Sequence, residues 1–144
     1  MVNLRPVTTD NFWDVVSLEV SDDQENFVAS NAISIAQSKV EPSFIPLAIY
    51  NDQTIVGFLM YGIDPEDGNY WIIRLMVDEK YQKNGYGKRA MEIIIDKIKE
   101  DKNHNKLIIS TDPKNVVGLN LYKKLGFKST GEILDEEEVL ELRY

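Results

Sequence analysis

The sequence predicts an α+β fold in one domain, residues 1–144, and three observations lead there. The length suits one hydrophobic core. Apolar residues make up 43% of the chain, enough to fill that core and to argue against wholesale disorder. The elements read off the periodicity run β-α-α-β-β-β-α-β-α-β-β, with strands clustered ahead of the longest helix. That order gives a mixed sheet rather than a regularly doubly wound one.

Residues 3–8, NLRPVT, read as a short strand. A helix follows with Thr9 or Asp10 as N-cap and Phe12, Val15 and Val16 as its apolar stripe. Residues 21–40 form a second helical region whose apolar positions, Phe27, Val28, Ile33 and Ile35, are poorly periodic, so it can break. Pro42 and Pro46 bracket a loop. PLAIYN and TIVGFLMYGI are strands joined at Asn51, Asp52 and Gln53 as a hairpin. YWIIRLMVD is apolar on both faces except at Arg74, as a central strand would be. A helix over residues 85–99 carries Ala90, Met91, Ile94, Ile95 and Ile98 on one side. KLIIST is a strand, and a short helix over residues 116–125 ends at Gly126. FKSTGEI and EEVLELRY are the last two strands. The second could pair across a homodimer interface or form an edge within one chain.

Several function classes drop out. A net charge of −8 disfavours nucleic acid as a partner. No apolar run is long enough to span a bilayer, and MVNLRPVTTDNFWD does not read as a signal peptide, which favours the cytoplasm. With no cysteine there is neither a disulfide nor a thiolate nucleophile, and no metal site is expected. Charge is unevenly placed. Residues 1–47 carry seven acids against Arg5 and Lys39, a net of −5, whereas residues 80–89 carry Lys80, Lys83, Lys88 and Arg89 and no acid.

YQKNGYGKRAM, residues 81–91, sets a glycine-bearing basic turn at the mouth of a helix. The first N–H groups of a helix lack internal partners and carry the positive end of its dipole. Glycine lets backbone approach a bulky anion and adopt positive φ. The combination suits a pyrophosphate cradle, and on its own also a plain strand-to-helix turn. It is neither a P-loop nor a dinucleotide fingerprint, because the required glycines are absent.

LMVDEKYQKNGYGKRAM resembles the acetyl-coenzyme A motif of the GCN5-related N-acetyltransferases (GNAT), matched at Gln82, Gly85 and Gly87. NVVGLNLYKKLGF is similar to the second signature of that family: an asparagine opening a helix, then Tyr122 ahead of Leu-Gly-Phe. The likeness covers essentially the whole chain and implies a mostly antiparallel central sheet with acetyl-coenzyme A as co-substrate. It further implies that RLMV splays from its neighbour, and that backbone groups of Leu75, Met76 and Val77 bind the pantetheine arm and acetyl carbonyl. Amides of Gln82, Lys83, Asn84, Gly85, Tyr86, Gly87 and Lys88 would hold the pyrophosphate. Asn115 would meet the pantetheine arm, and Tyr122 would protonate the departing thiolate. Asn115, Leu119 and Tyr122 stand at i, i+4 and i+7, on one helix face.

In such a reaction an amine attacks the thioester directly, so no covalent enzyme intermediate is needed. A backbone N–H of Met76 or Val77 would stabilise the developing oxyanion. Many relatives place a glutamate base on the strand ending in RLMV, but here that strand offers Trp71, Ile72, Ile73 and Arg74. A water chain to Glu25 or Glu41 is one substitute. His104, the only histidine, reads as a solvated loop residue. The run Phe27, Val28, Ala29, Asn31, Ser34, Ala36, Gln37 resembles bacterial spermine/spermidine acetyltransferases. It implies a polycationic small-molecule amine as partner, drawn by acids including Glu25 and Glu41, with Trp71 offering a ring face. Another small amine, a protein N-terminus or lysine, or a noncatalytic acyl-coenzyme A-binding role are the alternatives.

Overall fold

The computed structural model describes residues 1–144. The chain begins with a strand, β1 (Val2–Pro6), and a one-turn helix, α1 (Phe12–Val16). A 3-10 turn, Asp22–Phe27, leads into α2 (Asn31–Val40). Three strands follow: β2 (Phe44–Asn51), β3 (Thr54–Ile63) and β4 (Tyr70–Val77). The long helix α3 (Tyr86–Lys99), β5 (Lys106–Thr111), α4 (Val116–Lys124), β6 (Lys128–Leu134) and β7 (Glu137–Arg143) complete the expected order. All seven strands share one sheet, ordered β1-β2-β3-β4-β5-β7-β6. Only β4 and β5 run parallel. β4 is the middle strand, as its two apolar faces require.

The sheet separates two cores. On one face Ala90, Met91, Ile94, Ile95 and Ile98 of α3 are all buried against Ile49, Leu59, Ile72, Leu107 and Leu140. Each of the Met, Ile and Leu side chains contributes about 1.5–3 kcal/mol on burial. Tyr122 and Phe127 bring α4 into the same layer. On the other face Val15, Phe44, Ala48, Tyr50, Phe58, Met60 and Met76 pack beneath α1 and α2.

Four details depart from the sequence reading, and the expected break in the second helical region is present. The N-cap of α1 is Asn11, not Thr9 or Asp10. Its buried side chain instead bonds Thr8 N, Pro6 O and the Tyr50 hydroxyl, tying β1 to β2. The region 21–40 does break: Ser30 caps α2 by accepting from Ile33 N at 3.2 Å. Pro46 lies within β2 rather than closing a loop. β1 ends at Pro6 opposite Leu47, so at Pro46 the strand is a sheet edge, where a missing N–H costs nothing. β7 is flanked by β5 and β6, so it has no free edge with which to pair across a dimer; the edges are β1 and β6. His104 is half-buried, not solvated: its ring nitrogens lie 3.2 Å from Asp101 Oδ2 and 3.2 Å from Gly68 O, and it stacks edge-on against Tyr70.

Candidate active site

β4 and β5 pair only from Tyr70 opposite Leu107 to Ile72 opposite Ile109. A bulge in the β3–β4 ladder at Met60/Tyr61 turns β4 away, while β4 stays paired to β3 as far as Val77. From Ile73 to Val77, therefore, β4 has no strand partner on its β5 side. The opening is a cleft of about 1160 Å³. Ile72 to Val77 form one wall, and Ile109 to Thr111 with Asn115 and Tyr122 form the other. RLMV splays as expected, and Leu75, Met76 and Val77 line the gap. A smaller pocket of about 680 Å³ beside α1 also holds a buried carboxylate, Asp78. That carboxylate is already satisfied by the amides of Glu19 and Lys80, each at 3.0 Å.

The glycine turn closes one end of the cleft. Gly85 takes φ of 79° as N-cap of α3 and offers no side-chain cap. Lys83 is also left-handed, at φ 67°. Two left-handed residues so close together curl the chain into a concavity of N–H groups. Arg89 N is the first amide to find a helical acceptor, Gly85 O at 3.1 Å, and no protein acceptor takes the amides of Gln82 through Lys88. Their side chains brace the turn. Gln82 Nε2 donates to Val77 O and to Gln24 Oε1, and Asn84 Nδ2 donates to Tyr81 O and Gln82 O. Gln82, Lys83, Gly85, Tyr86, Gly87 and Lys88 border the cleft; Asn84 serves the turn from outside its lining. Free amides, bases and a helix dipole in one place fit an anion as large as the coenzyme pyrophosphate.

Asn115 caps α4. Its Oδ1 accepts from Gly118 N at 3.1 Å and its Nδ2 donates to Thr111 Oγ1 at 3.0 Å. A Cβ on Gly118 would stand 2.5 Å from Asn115 Nδ2, so any larger residue there must displace the capping side chain, a constraint the sequence reading missed. The cap sends Tyr122, on the same helix face, into the cleft wall. Tyr122 is buried, edge-on to Phe127 at 6.0 Å. Burial, and then the charge of Glu137, push its pKa up to about 12. The phenol is therefore protonated throughout the physiological range.

The wall expected to face the acceptor is less like its expectation. Trp71 lines the cleft, its Nε1 donating to Asp67 Oδ2 at 2.9 Å. Phe27, Val28, Ala29 and Gln37 line it as well, whereas Asn31 and Ser34 of the same run are buried and bond Val15 O and Ser30 O. Glu25 is exposed on the 3-10 turn and Glu41 caps the C-terminus of α2; neither lines the cleft. The two acids that do are Asp64 and Glu137, neither of which the sequence reading singled out. Arg74 holds α2 to β4 through Gln37 Oε1 at 3.2 Å and Ile73 O at 2.8 Å, leaving its buried Nε without a partner. Desolvation lowers its pKa, and Glu137 works the other way.

Comparison with known proteins places this geometry. The spermine/spermidine N(1)-acetyltransferase of Bacillus subtilis is 30% identical over 138 residues, covering 92% of this chain and 91% of that protein. Among solved structures, the PaiA N-acetyltransferase of Thermoplasma acidophilum in complex with coenzyme A superposes with a TM-score of 0.73 at 18% identity, over 100% of this chain and 99% of that one. The aminoglycoside acetyltransferase AAC(6')-Ib in complex with coenzyme A gives a TM-score of 0.81 at 12% identity, over 99% of this chain and 95% of that one. The family model for the acetyltransferase (GNAT) family matches residues 12–127, and this chain belongs to that family of acetyl-coenzyme A-dependent acetyltransferases.

Proposed function

We propose that the chain acetylates a primary amine of a polyamine of the spermine/spermidine type, by direct attack in a ternary complex. The observation that carries the reading is the single splayed cleft. An anion cradle stands at one end, a free β4 edge runs along it, Tyr122 lies in its wall, and acids and Trp71 lie on the acceptor side. The substrate named for the Bacillus subtilis relative supports the polyamine class. The net −5 of residues 1–47, whose elements α1 and α2 cover that side of the sheet, supports it independently.

Bound acetyl-coenzyme A supplies the activated acetyl thioester. The amides of Gln82 through Lys88 hold its pyrophosphate, with Lys83 and Lys88 adding charge. Backbone groups of Leu75, Met76 and Val77 extend the sheet onto the pantetheine arm, and Asn115 faces it from α4. A Met76 or Val77 N–H would stabilise the negative charge that develops on the acetyl oxygen. Tyr122 donates its proton to the sulfur; with a pKa pushed up to about 12 the phenol carries that proton at neutral pH. Trp71 presents its ring to an ammonium group, and Glu25 and Glu41 act from outside the cleft by attracting the polycation.

An acceptor panel at fixed acetyl-coenzyme A, read by free-thiol release, tests the polyamine reading against a monoamine and a peptide N-terminus. The proposal expects kcat/KM for spermine and spermidine to exceed that for butylamine and a tripeptide by at least about tenfold. Equal or inverted preference would overturn the polyamine assignment.

A further inference from the structure

The amine must lose a proton before it attacks, and β4 supplies no acid to take it. Of the two carboxylates in the cleft, Asp64 lies at the outer turn before β4 and accepts from Glu66 N at 2.9 Å. Glu137 is placed differently. The two-residue turn Asp135–Glu136, with φ of 49° and 68°, makes Glu137 the first residue of β7, opposite Leu134. Ser110 on β5, across the splay from β4, donates to Glu137 Oε1 at 2.9 Å. This fixes one oxygen and leaves Oε2 without a protein donor. Glu137 is half-buried, and no Lys, Arg or His nitrogen comes within ion-pair distance of it. Its charge nevertheless reaches both Tyr122 on α4 and Arg74 on β4. It therefore lines the cleft, held by Ser110, within electrostatic reach of Tyr122 and of β4.

We propose that Glu137 is the general base of the acetyl transfer, receiving the proton that the acceptor ammonium loses before attack. This rests on the amine-acetyltransferase reading above. Glu137 Oε2 takes one proton from the ammonium, giving a neutral amine and a carboxylic acid. The nitrogen lone pair then forms the C–N bond to the acetyl carbon as the C–S bond breaks. The Tyr122 hydroxyl protonates the leaving sulfur, and the resulting phenolate recovers a proton from the newly acylated nitrogen. Glu137 releases its proton to solvent, so one proton is lost per turnover. Arg74 assists from the opposite wall, because a guanidinium beside an ammonium favours the neutral amine. The other charged groups bordering this region are Lys124 on α4, which lines the cleft, and Glu136 and Glu138 beside Glu137 on its own hairpin.

The test is Glu137→Gln, which keeps the volume and the Ser110 acceptor but cannot take a proton. With the best acceptor from the panel at pH 7, kcat should fall by roughly 10²–10⁴. The deficit should shrink as pH rises toward the pKa of the acceptor, where free amine is already abundant. Coenzyme A affinity by calorimetry should stay within about twofold of wild type. An unchanged kcat with the wild-type pH profile would overturn the base role. So would a change confined to KM at every pH, which would mark Glu137 as a binding group. If Glu137→Gln loses coenzyme binding through misfolding, Glu137→Asp replaces it: a shortened base should retain the pH profile at reduced kcat, and a flat profile contradicts the proposal. Wild-type enzyme that acetylates no amine in the panel overturns the functional reading itself, whereas active wild type with an unimpaired Gln variant overturns this inference alone.

Discussion

Gly85 has φ of 79°, and no atom lies within 4 Å of the place its Cβ would take, so its constraint is backbone conformation alone. Any L-residue there bears the left-handed cost of about 1–2 kcal/mol. Gly87 is the reverse. Its φ is ordinary, and a Cβ would sit 3.5 Å from a Val77 methyl, in normal contact. Gly87→Ala should therefore fold with wild-type stability, whereas Gly87→Asp should fold but bind coenzyme A at least tenfold more weakly by calorimetry, since it puts negative charge into the cradle. Equal affinity for the Asp variant and wild type would remove the cradle. Tyr122→Phe should lower kcat by roughly 10²–10⁴ with little change in coenzyme affinity. In the wild type its pKa of about 12 means that no alkaline limb from this phenol should appear below about pH 10, the ordinary tyrosine value. Because the folded pKa is raised, the neutral phenol's contribution to stability is whole below pH 10 and is lost as pH climbs toward 12. The Phe variant should therefore resist alkaline unfolding better than wild type, as pH-dependent melting would show. These residues were legible because each sits in a motif with local chemistry of its own. Glu137 was not: its meaning comes from Ser110, Arg74 and Tyr122, which three other elements bring to it.

Among the elements, the β6–β7 hairpin is the least regular and places the cleft carboxylate. Asp135 and Glu136 both take positive φ, the pattern of a type I′ turn that prefers glycine at its second position. Glu136→Gly should relieve the left-handed cost and lose part of it to chain entropy, a net gain of about 0.5–1 kcal/mol and a rise in Tm of a few degrees. A fall in Tm would contradict the turn geometry. The sequence showed no turn glycine here, so the strand was visible but its register was not. α3 was legible almost residue by residue, because its apolar stripe is strictly helical and wholly buried. The region 21–40 was legible only as a possible break. Its path is set by Gln82 bonding Gln24 and by Asn31 bonding Val15 O, contacts between distant parts of the chain. The splay of β4 came from the family likeness, since a bulge in the β3–β4 ladder leaves no mark in a strand of apolar residues.

At the scale of the molecule, bases gather at the glycine turn at one end of the cleft, while residues 1–47, with a net charge of −5, supply α1 and α2 on one face of the sheet. Glu25 and Glu41 stand outside the lining, so their effect should be long-range. Glu25→Gln and Glu41→Gln should each raise KM for spermine by no more than about 0.2–1 kcal/mol equivalent, with kcat intact and the effect diminished by salt. A collapse of kcat in either would place a catalytic group there instead. Direct transfer, as proposed, needs both substrates in the cleft at once. That simultaneous occupancy is the central claim, and initial rates with acetyl-coenzyme A and spermidine varied together test it most directly. Intersecting double-reciprocal lines are the expected result; parallel lines, the fingerprint of a covalent acetyl-enzyme, would contradict it.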